Sequence, residues 1–287
     1  MTLIDLHAHT NESDGTYTPA ELVEAALAAG LGALAITDHD TFAGYEAALP
    51  VARERGLDLI RGVEISARRG PASLHLLAYF LDGDPGLEFH NWLRGLVESR
   101  RERNRKLVAR LRELGVDIHL HEVERLGKTL TGRPHFARVL IAKGYAEDRR
   151  DAFRKYLGET AAAHVEREAP PVSEAILRVL EAGGVPSLAH PIRNAQPGSH
   201  EEMRLFAELK SAGLPAIEAY HSDHGPGDTR HYLAEANHYG FGVTGGSDFH
   251  GDAKPGVMLG RGLNGNLSVP ISVLEDLRAL SRSLHHS

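Results

Sequence analysis

The chain contains no cysteine. Disulfides, thiolate zinc sites and cysteine nucleophiles are therefore excluded, and any metal must sit on nitrogen and oxygen donors. No run approaches the roughly 20 apolar residues needed to cross a bilayer, and no basic and apolar leader precedes the first strand pattern, so a cytoplasmic protein without membrane contact is expected. Positive charge is not in excess either. With 32 Lys and Arg against 39 Asp and Glu, the formal net charge of -7 argues against general nucleic-acid affinity, although arginines can still gather around one pocket.

What the chain has in quantity is histidine, 18 in 287 residues. That length suits one large α/β domain carrying a smaller insertion, and 42% hydrophobic with 25% charged residues is ordinary for a globular protein. The first fourteen residues, from Met1 to Asp14, read as a buried strand ending in metal ligands. His7 and His9 leave one face of that strand, and Asp14 follows on the loop. Asp5 shares their face and reads either as a support for the ligands or as a structural residue.

A helix follows from 18 to 29, with Thr18 as N-cap, Pro19 at its first position, Glu21 completing a capping box and Gly30 as the stop. Strand 31–37 empties into Asp38-His39-Asp40, and Thr41 caps a helix to about 55. Strand 57–66 carries Glu64 near its end, and strand 73–80 carries His75. Short apolar strands alternating with helices predict a parallel sheet whose polar residues collect at the strands' C-terminal ends. Residues 86–170 break the rhythm with helices at 86–114, 120–127, 132–143 and 148–157. The charged run 98–106 within them is expected to be a solvated helix face with i,i+4 ion pairs. The α/β rhythm then resumes, with strands ending at His190, at His221-Ser222-Asp223-His224 and at Ser247-Asp248-Phe249-His250, for seven strands in all. The expected organisation is a barrel built from 1–85 and 171–287, interrupted by a helical insertion at 86–170. His285 and His286 read as a frayed tail.

Six histidines and three carboxylates thus stand at strand ends: His7, His9, Asp14, His39, Glu64, His75, His190, Asp248 and His250. Each alone has a mundane explanation, but together they describe one rim. Imidazoles around carboxylates suit zinc, manganese or iron rather than calcium or magnesium, and such clusters serve phosphate-ester hydrolysis.

The segments Asp5-Leu6-His7-Ala8-His9-Thr10, Ser13-Asp14-Gly15, Thr37-Asp38-His39-Asp40, Gly62-Val63-Glu64, Ala189-His190-Pro191 and Gly246-Ser247-Asp248-Phe249-His250, with His75, resemble the polymerase and histidinol phosphatase (PHP) family. The resemblance implies a distorted (β/α)7 barrel of the α/β class, a small helical insertion and a trinuclear metal centre. It puts His7, His9, Glu64 and Asp248 on a first metal, Glu64 with His75 and His190 on a second, and Asp14, His39 and His250 on a third. Many members have histidine where Asp14 stands. A carboxylate there favours manganese or iron, so two to three divalent ions, manganese first and zinc or iron second, are expected.

The helical insertion and Thr131-Gly132-Arg133-Pro134-His135 resemble family members that act on nucleotides, particularly the 3′,5′-nucleoside bisphosphate phosphatases. Thr131 reads as an N-cap, placing Arg133 and His135 at a helix N-terminus suited to phosphate. Arg193, His221, Ser222 and His224 are further residues expected to line the pocket. Asp248 is expected to shuttle a proton, with His221 or a water protonating the leaving alkoxide. The expected activity is removal of the 3′-phosphate from a nucleoside bisphosphate. A 5′–3′ exonuclease on short 5′-phosphorylated RNA or DNA, a histidinol phosphate phosphatase and a noncatalytic regulatory module are the alternatives. No protein partner is indicated.

Overall fold

The computed structural model describes residues 2–285, and Met1, His286 and Ser287 lie outside them. The first half runs β1 (Leu3–Ala8), α1 (Pro19–Ala28), β2 (Leu31–Ile36), α2 (Ala43–Arg55), β3 (Asp58–Arg69) and β4 (Ala72–Phe80). Then come α3 (Gly86–Glu113), α4 (Leu120–Glu124), α5 (Arg133–Ala142) and α6 (Arg149–Ala152), the last continuing into a π turn (Phe153–Leu157). The chain returns through α7 (Val172–Glu181), β5 (Val185–Leu188), α8 (His200–Ser211), β6 (Ala216–His221), α9 (Pro226–Tyr239) and β7 (Gly242–Gly246). The short strands β8 (Val257–Met258), β9 (Gly262–Leu263) and β10 (Val269–Pro270) precede α10 (Ser272–His285), whose last residue bonds Gly184 O rather than fraying.

One sheet of eight strands, in the order β10-β1-β2-β3-β4-β5-β6-β7, makes a nearly closed barrel of the α/β class. The seven expected strands are β1 to β7. The eighth, β10, pairs antiparallel to β1 and is too short for any alternation to mark it. β1 to β3 are parallel, as are β5 to β7, but β4 runs antiparallel to both of its neighbours. Only Gly70 and Pro71 separate β3 from β4, and two residues can turn a hairpin but cannot make a crossover.

The capping box of α1 forms as its sequence requires: Glu21 N donates to Thr18 Oγ1, and Glu21 Oε2 accepts from Thr18 N at 2.8 Å. α1 and α2 bury Leu22, Val23, Ala48 and Ala52 against Leu34 and Ile36 of β2. α7, α8 and α9 pack with β3, β4 and the first part of α3 around Phe80, Phe89, Ile176 and Phe206. The later part of α3, with α4 to the π turn, has its own apolar cluster of Leu107, Leu111, Phe136, Leu140 and Leu157.

α3 corrects the reading of its charged run. Glu98, Arg101, Glu102, Arg105 and Lys106 are exposed and make i,i+3 and i,i+4 pairs, as expected. Arg100, Arg103 and Asn104 are buried, on the same stripe as Leu96, Leu107 and Leu111. The run therefore has two faces, one solvated and one turned toward the barrel.

Closure of the barrel depends on Gly246. A β-carbon there would lie 2.3 Å from His7 N and 2.4 Å from its Cβ. Asp5 sits at the same seam: its carboxylate accepts from His7 N, Ser247 N and Gly260 N, so it stitches β1 to the chain leaving β7. Gly246→Ala is expected to destabilise the protein by about 1–3 kcal/mol, because the clash is with backbone that cannot step aside. Urea unfolding monitored by circular dichroism checks this.

Candidate metal centre

Every histidine and carboxylate singled out at a strand end arrives at one rim. His7 and His9 come from β1, His39 from the end of β2, Glu64 from β3, His75 from β4, His190 from β5, and Asp248 and His250 from β7. Asp14 is brought in by a tied loop, in which buried Asp38 accepts from Thr10 N at 2.8 Å, from Thr10 Oγ1 and from Ser13 Oγ. Asp40, His190 and Asp248 have positive φ values of 54°, 31° and 54°. Such conformations cost roughly 1–3 kcal/mol each outside glycine and persist only where surroundings hold them. Here His190 N donates to Glu218 Oε2 at 2.7 Å, and Asp248 N donates to His7 O at 2.8 Å.

Glu64 is the hub, 1% exposed. Its Oε1 lies 2.9 Å from His75 Nδ1 and 3.1 Å from His190 Nε2. Its Oε2 lies 3.2 Å from His9 Nε2, 3.2 Å from His39 Nδ1 and 3.6 Å from His7 Nε2. Asp248 faces the same space: Oδ1 is 3.5 Å from His7 Nε2 and from His9 Nε2, while Oδ2 meets Lys254 Nζ at 2.7 Å and Arg193 at 2.8 Å. Asp14 stands among His250, His9 and His39 at 3.2, 3.7 and 3.7 Å.

Burial pushes His39 and His190 down to about 3, with Arg193 adding to the effect on His190, so both rings are neutral near pH 7. Burial raises the carboxyls, yet the groups around them win: the imidazoles of His75, His39 and His7 hold Glu64 well below its ordinary range, and Lys254, Arg193 and His7 do the same for Asp248. Burial works against protonation of His7 and His250, but Glu218, Asp248 and Glu64 hold His7 well above its ordinary value, and Asp14 and Asp248 raise His250. The donor set is therefore anionic oxygen with two neutral imidazoles, and His7 and His250 give up a proton when a divalent cation takes their place in the charge balance.

Hydrogen bonding fixes which nitrogen is free. His7 Nδ1 donates to Glu218 Oε1 at 2.9 Å, and His250 Nδ1 donates to the Asp248 carbonyl, so in the neutral form of each ring it is Nε2 that faces the cluster with its lone pair. His7 Nε2, both nitrogens of His9, His39 Nδ1 and His190 Nδ1 are buried with no hydrogen-bond partner. Orphaned polar atoms at that density are costly unless a cation satisfies them. Ligand atoms of His9, Asp14, His39 and His250 lie within 4.8 Å of one another, as do those of His7, His9 and Asp248, and those of His39, Glu64 and His75. The residues present thus fit divalent metal ions.

The PHP domain model matches residues 5–166, more than half of the chain. The chain belongs to the PHP family. It is 32% identical over 259 residues to a 3′,5′-nucleoside bisphosphate phosphatase of Chromobacterium violaceum, covering 89% of this chain and 90% of that one. It is 33% identical to the 5′-3′ exoribonuclease Rnm of Escherichia coli, over 91% and 89% of the two chains. A solved structure from Bifidobacterium adolescentis, described provisionally as a metal-dependent phosphoesterase, superposes with a TM-score of 0.83 at 33% identity, over 97% and 96% of the chains. As a member of the PHP family this protein is a metal-dependent phosphoesterase with a barrel-like fold, and among its described residues no helix is long and apolar enough to cross a membrane.

Several residues of this PHP site were invisible as such in the sequence. Glu218, fully buried on β6, holds both His7 and the His190 backbone. Glu218→Gln is expected to weaken metal binding about 10–100-fold, the usual cost of losing the partner that orients a ligand imidazole. Titration of the metal-stripped protein followed by calorimetry checks it. Lys254, on the loop after β7, pairs with Asp248 and had no motif to announce it.

The residues expected to hold substrate divide into two groups. Arg133, at the first position of α5, and Arg193 line a cavity of about 240 Å³ over the metal ligands. His135, Ser222 and His224 do not line it. His135 Nδ1 accepts from Gly132 N, so Gly132 rather than Thr131 is the N-cap and the imidazole is turned back on its own helix. Ser222 donates to Ser247 O, and His224 Nδ1 donates to Ala219 O. Both brace the rim from behind. His221 is buried, and its Nδ1 accepts from Asp223 N, leaving Nε2 3.5 Å from Asp248 Oδ2.

A second cavity, about 340 Å³, adjoins the first and shares His75, Arg100 and Arg133 with it. Arg68, Arg103 and Arg167 also line it. One buried carboxylate, Asp40, serves two of these cations: its Oδ2 accepts from Arg100 at 2.7 Å and from Arg167 at 2.9 Å. Arg103 is 6% exposed, and its Nε donates to Asn104 Oδ1. Among the described residues it has no carboxylate partner.

Proposed function

We propose that the enzyme removes the 3′-phosphate from nucleoside 3′,5′-bisphosphates, giving a nucleoside 5′-monophosphate and phosphate. The observation that carries this reading is the arginine cavity adjoining the metal ligands, which shares a wall with the metal cavity and offers the Arg103 guanidinium, unpaired among the described residues, to a second phosphate. Glu166 and Asp40 pair with Arg68, Arg100 and Arg167 of that cavity, so a monoester with one phosphate leaves Arg103 without an anionic partner.

Two to three divalent ions, manganese first, are proposed on the nine ligands, His7, His9, Glu64 and Asp248 for one, Glu64, His75 and His190 for another, and Asp14, His39 and His250 for the third. Bound there, they would supply Lewis acidity and an ionised water at neutral pH. The protein's own groups do the rest. Arg193 and Lys254 sit where the nonbridging oxygens of the reacting phosphate gain cationic neighbours. Asp248 is proposed to hold a proton in transit, and His221, whose Nε2 carries the ring proton because Nδ1 accepts from Asp223 N, stands behind it to steady the carboxylate or supply a proton. Arg100, Arg103 and Arg133 fix the 5′-phosphate, and the helical segment 86–170 that carries them acts as the substrate cap. Arg193 therefore serves the reacting phosphate, while His135, Ser222 and His224 keep supporting parts.

The same recognition suits a 5′–3′ exonuclease that holds a terminal 5′-phosphate in the arginine cavity and cleaves the adjacent 3′ linkage, and the exoribonuclease relative favours keeping that second reading. Product release from adenosine 3′,5′-bisphosphate, adenosine 3′-monophosphate, histidinol phosphate and a short 5′-phosphorylated oligonucleotide, each with manganese, separates them. The proposal expects the bisphosphate to exceed both monoesters at least about 100-fold in kcat/KM, the worth of a charged hydrogen-bonded anchor. Equal rates on a monoester would sink it, and a preference for the oligonucleotide would replace it with the exonuclease.

A further inference from the structure

Among the residues lining the metal cavity, nearly all are ligands or cations. The exceptions are Pro134 and Phe153. Phe153 opens the π turn after α6, where Gly158 N reaches back to Phe153 O at 2.8 Å. A π turn inserts a residue into a helix and re-aims the side chains around it, a device frequent at functional sites. One side of the ring packs on the apolar cluster of the helical segment, and the residue remains part-exposed at the cavity.

Two guanidiniums accompany the ring. Arg133 Cζ lies 5.9 Å from its centroid and Arg149 Cζ lies 5.8 Å from it. Arg149 also reaches across the mouth of the cavity and donates to Ala253 O at 3.3 Å, one residue before Lys254. The helical segment and the loop that carries the Asp248 counterion are thereby tied at the aromatic ring. Arg149 has no close carboxylate partner among the described residues, so an ion pair does not explain its position.

We infer that Phe153 and Arg149 form the stacking platform for the nucleobase of the substrate. This deepens the proposed function and rests on its nucleotide reading. With one phosphate at the metal ligands and the other in the arginine cavity, the wall shared by the two cavities, Arg100, Arg133 and His75, lies alongside the ribose. The base at C1′ then leaves toward the remaining wall. Phe153 and Arg149 belong to the metal cavity alone. A phenyl ring beside a planar, delocalised cation offers π-stacking and cation–π contact to any flat heterocycle, and it offers no hydrogen-bond pattern that reads one base against another. The four bases are accordingly handled within about tenfold of each other.

The test uses the full chain with Phe153→Leu, which keeps apolar volume, and Phe153→Trp, which keeps the stacking face. Two substrates are compared, adenosine 3′,5′-bisphosphate and the base-free ribose 3,5-bisphosphate. Phe153→Leu is expected to lose roughly 10- to 100-fold in kcat/KM for the nucleotide, mostly in KM, with less than about a twofold change for the base-free sugar, while Phe153→Trp retains nucleotide activity. Equal losses on both substrates, or none on either, would overturn the platform. A second readout is independent of turnover: 2-aminopurine riboside 3′,5′-bisphosphate should lose fluorescence on binding wild-type and Phe153→Trp protein but not Phe153→Leu. Base-dependent quenching without phosphate release would leave the platform standing and remove the phosphatase reading. Phosphate release from the bisphosphate without Phe153-dependent quenching would do the reverse.

Discussion

Glu64→Gln is expected to lower phosphoester hydrolysis by on the order of 10³-fold or more and to remove bound metal along with it. The substitution changes one atom and no volume, yet it acts where a single carboxylate faces five imidazoles through its two oxygens. Glutamine keeps one acceptor and replaces the other oxygen with a donor pointing at ring nitrogens. The negative charge that Glu64 keeps despite its burial is gone, and with it the attraction that brings divalent cations to the rim. Metal stoichiometry by mass spectrometry, phosphate release and circular dichroism on the same preparation test the point. A folded Glu64→Gln protein that kept full metal content and more than about a tenth of the rate would remove Glu64 from the centre of the cluster.

Most of the residues around Glu64 were legible because they follow short apolar strands whose ends a parallel arrangement brings to one rim; His75 reaches that rim from near the start of β4, because β4 runs antiparallel to its neighbours. Residues that support them were illegible for a physical reason. Glu218 lies mid-sequence in Ala216–His221 and looks like any polar residue in a strand; only the folded sheet sets it against His7. Asp40 read as a loop residue after His39, and its work depends on Arg100 and Arg167 arriving from far along the chain. The opposite error occurred at His135. Its place near a helix N-terminus suggested an anion ligand, but with Gly132 as N-cap, which has no side chain to cap with, the imidazole itself satisfies the free backbone donor. α3 is the plainest case. Charge composition marked residues 98–106 as solvated, whereas the 3.6-residue period puts Arg100, Arg103 and Asn104 on the stripe of Leu96, Leu107 and Leu111. Polarity alone misassigned a face that periodicity had already set.

That buried stripe leads to a result with opposite signs for stability and activity. Arg103→Met is expected to raise the unfolding free energy by about 1–2 kcal/mol while cutting kcat/KM for adenosine 3′,5′-bisphosphate roughly 100-fold. Burial, then Arg100, Arg133 and Arg167, push the Arg103 guanidinium well below its ordinary range. A guanidinium starts so high that it stays charged near neutral pH, so the folded protein carries a desolvated cation among cations. Methionine fills similar space without that charge, which relieves the fold. The same change removes a donor from the cavity where the 5′-phosphate is proposed to sit, and an interaction between two charged groups is lost. Asp40 explains why the cost falls on Arg103 in particular: it neutralises Arg100 and Arg167 and extends to neither Arg103 nor Arg133. The activity loss should appear as a raised KM for the bisphosphate with little change for adenosine 3′-monophosphate, since the monoester never uses the cavity. Urea unfolding and paired kinetics measure both signs. A variant less stable than the parent would mean that Arg103 is held by structure rather than kept for a ligand, and equal losses on both substrates would place its influence on the metal ligands instead.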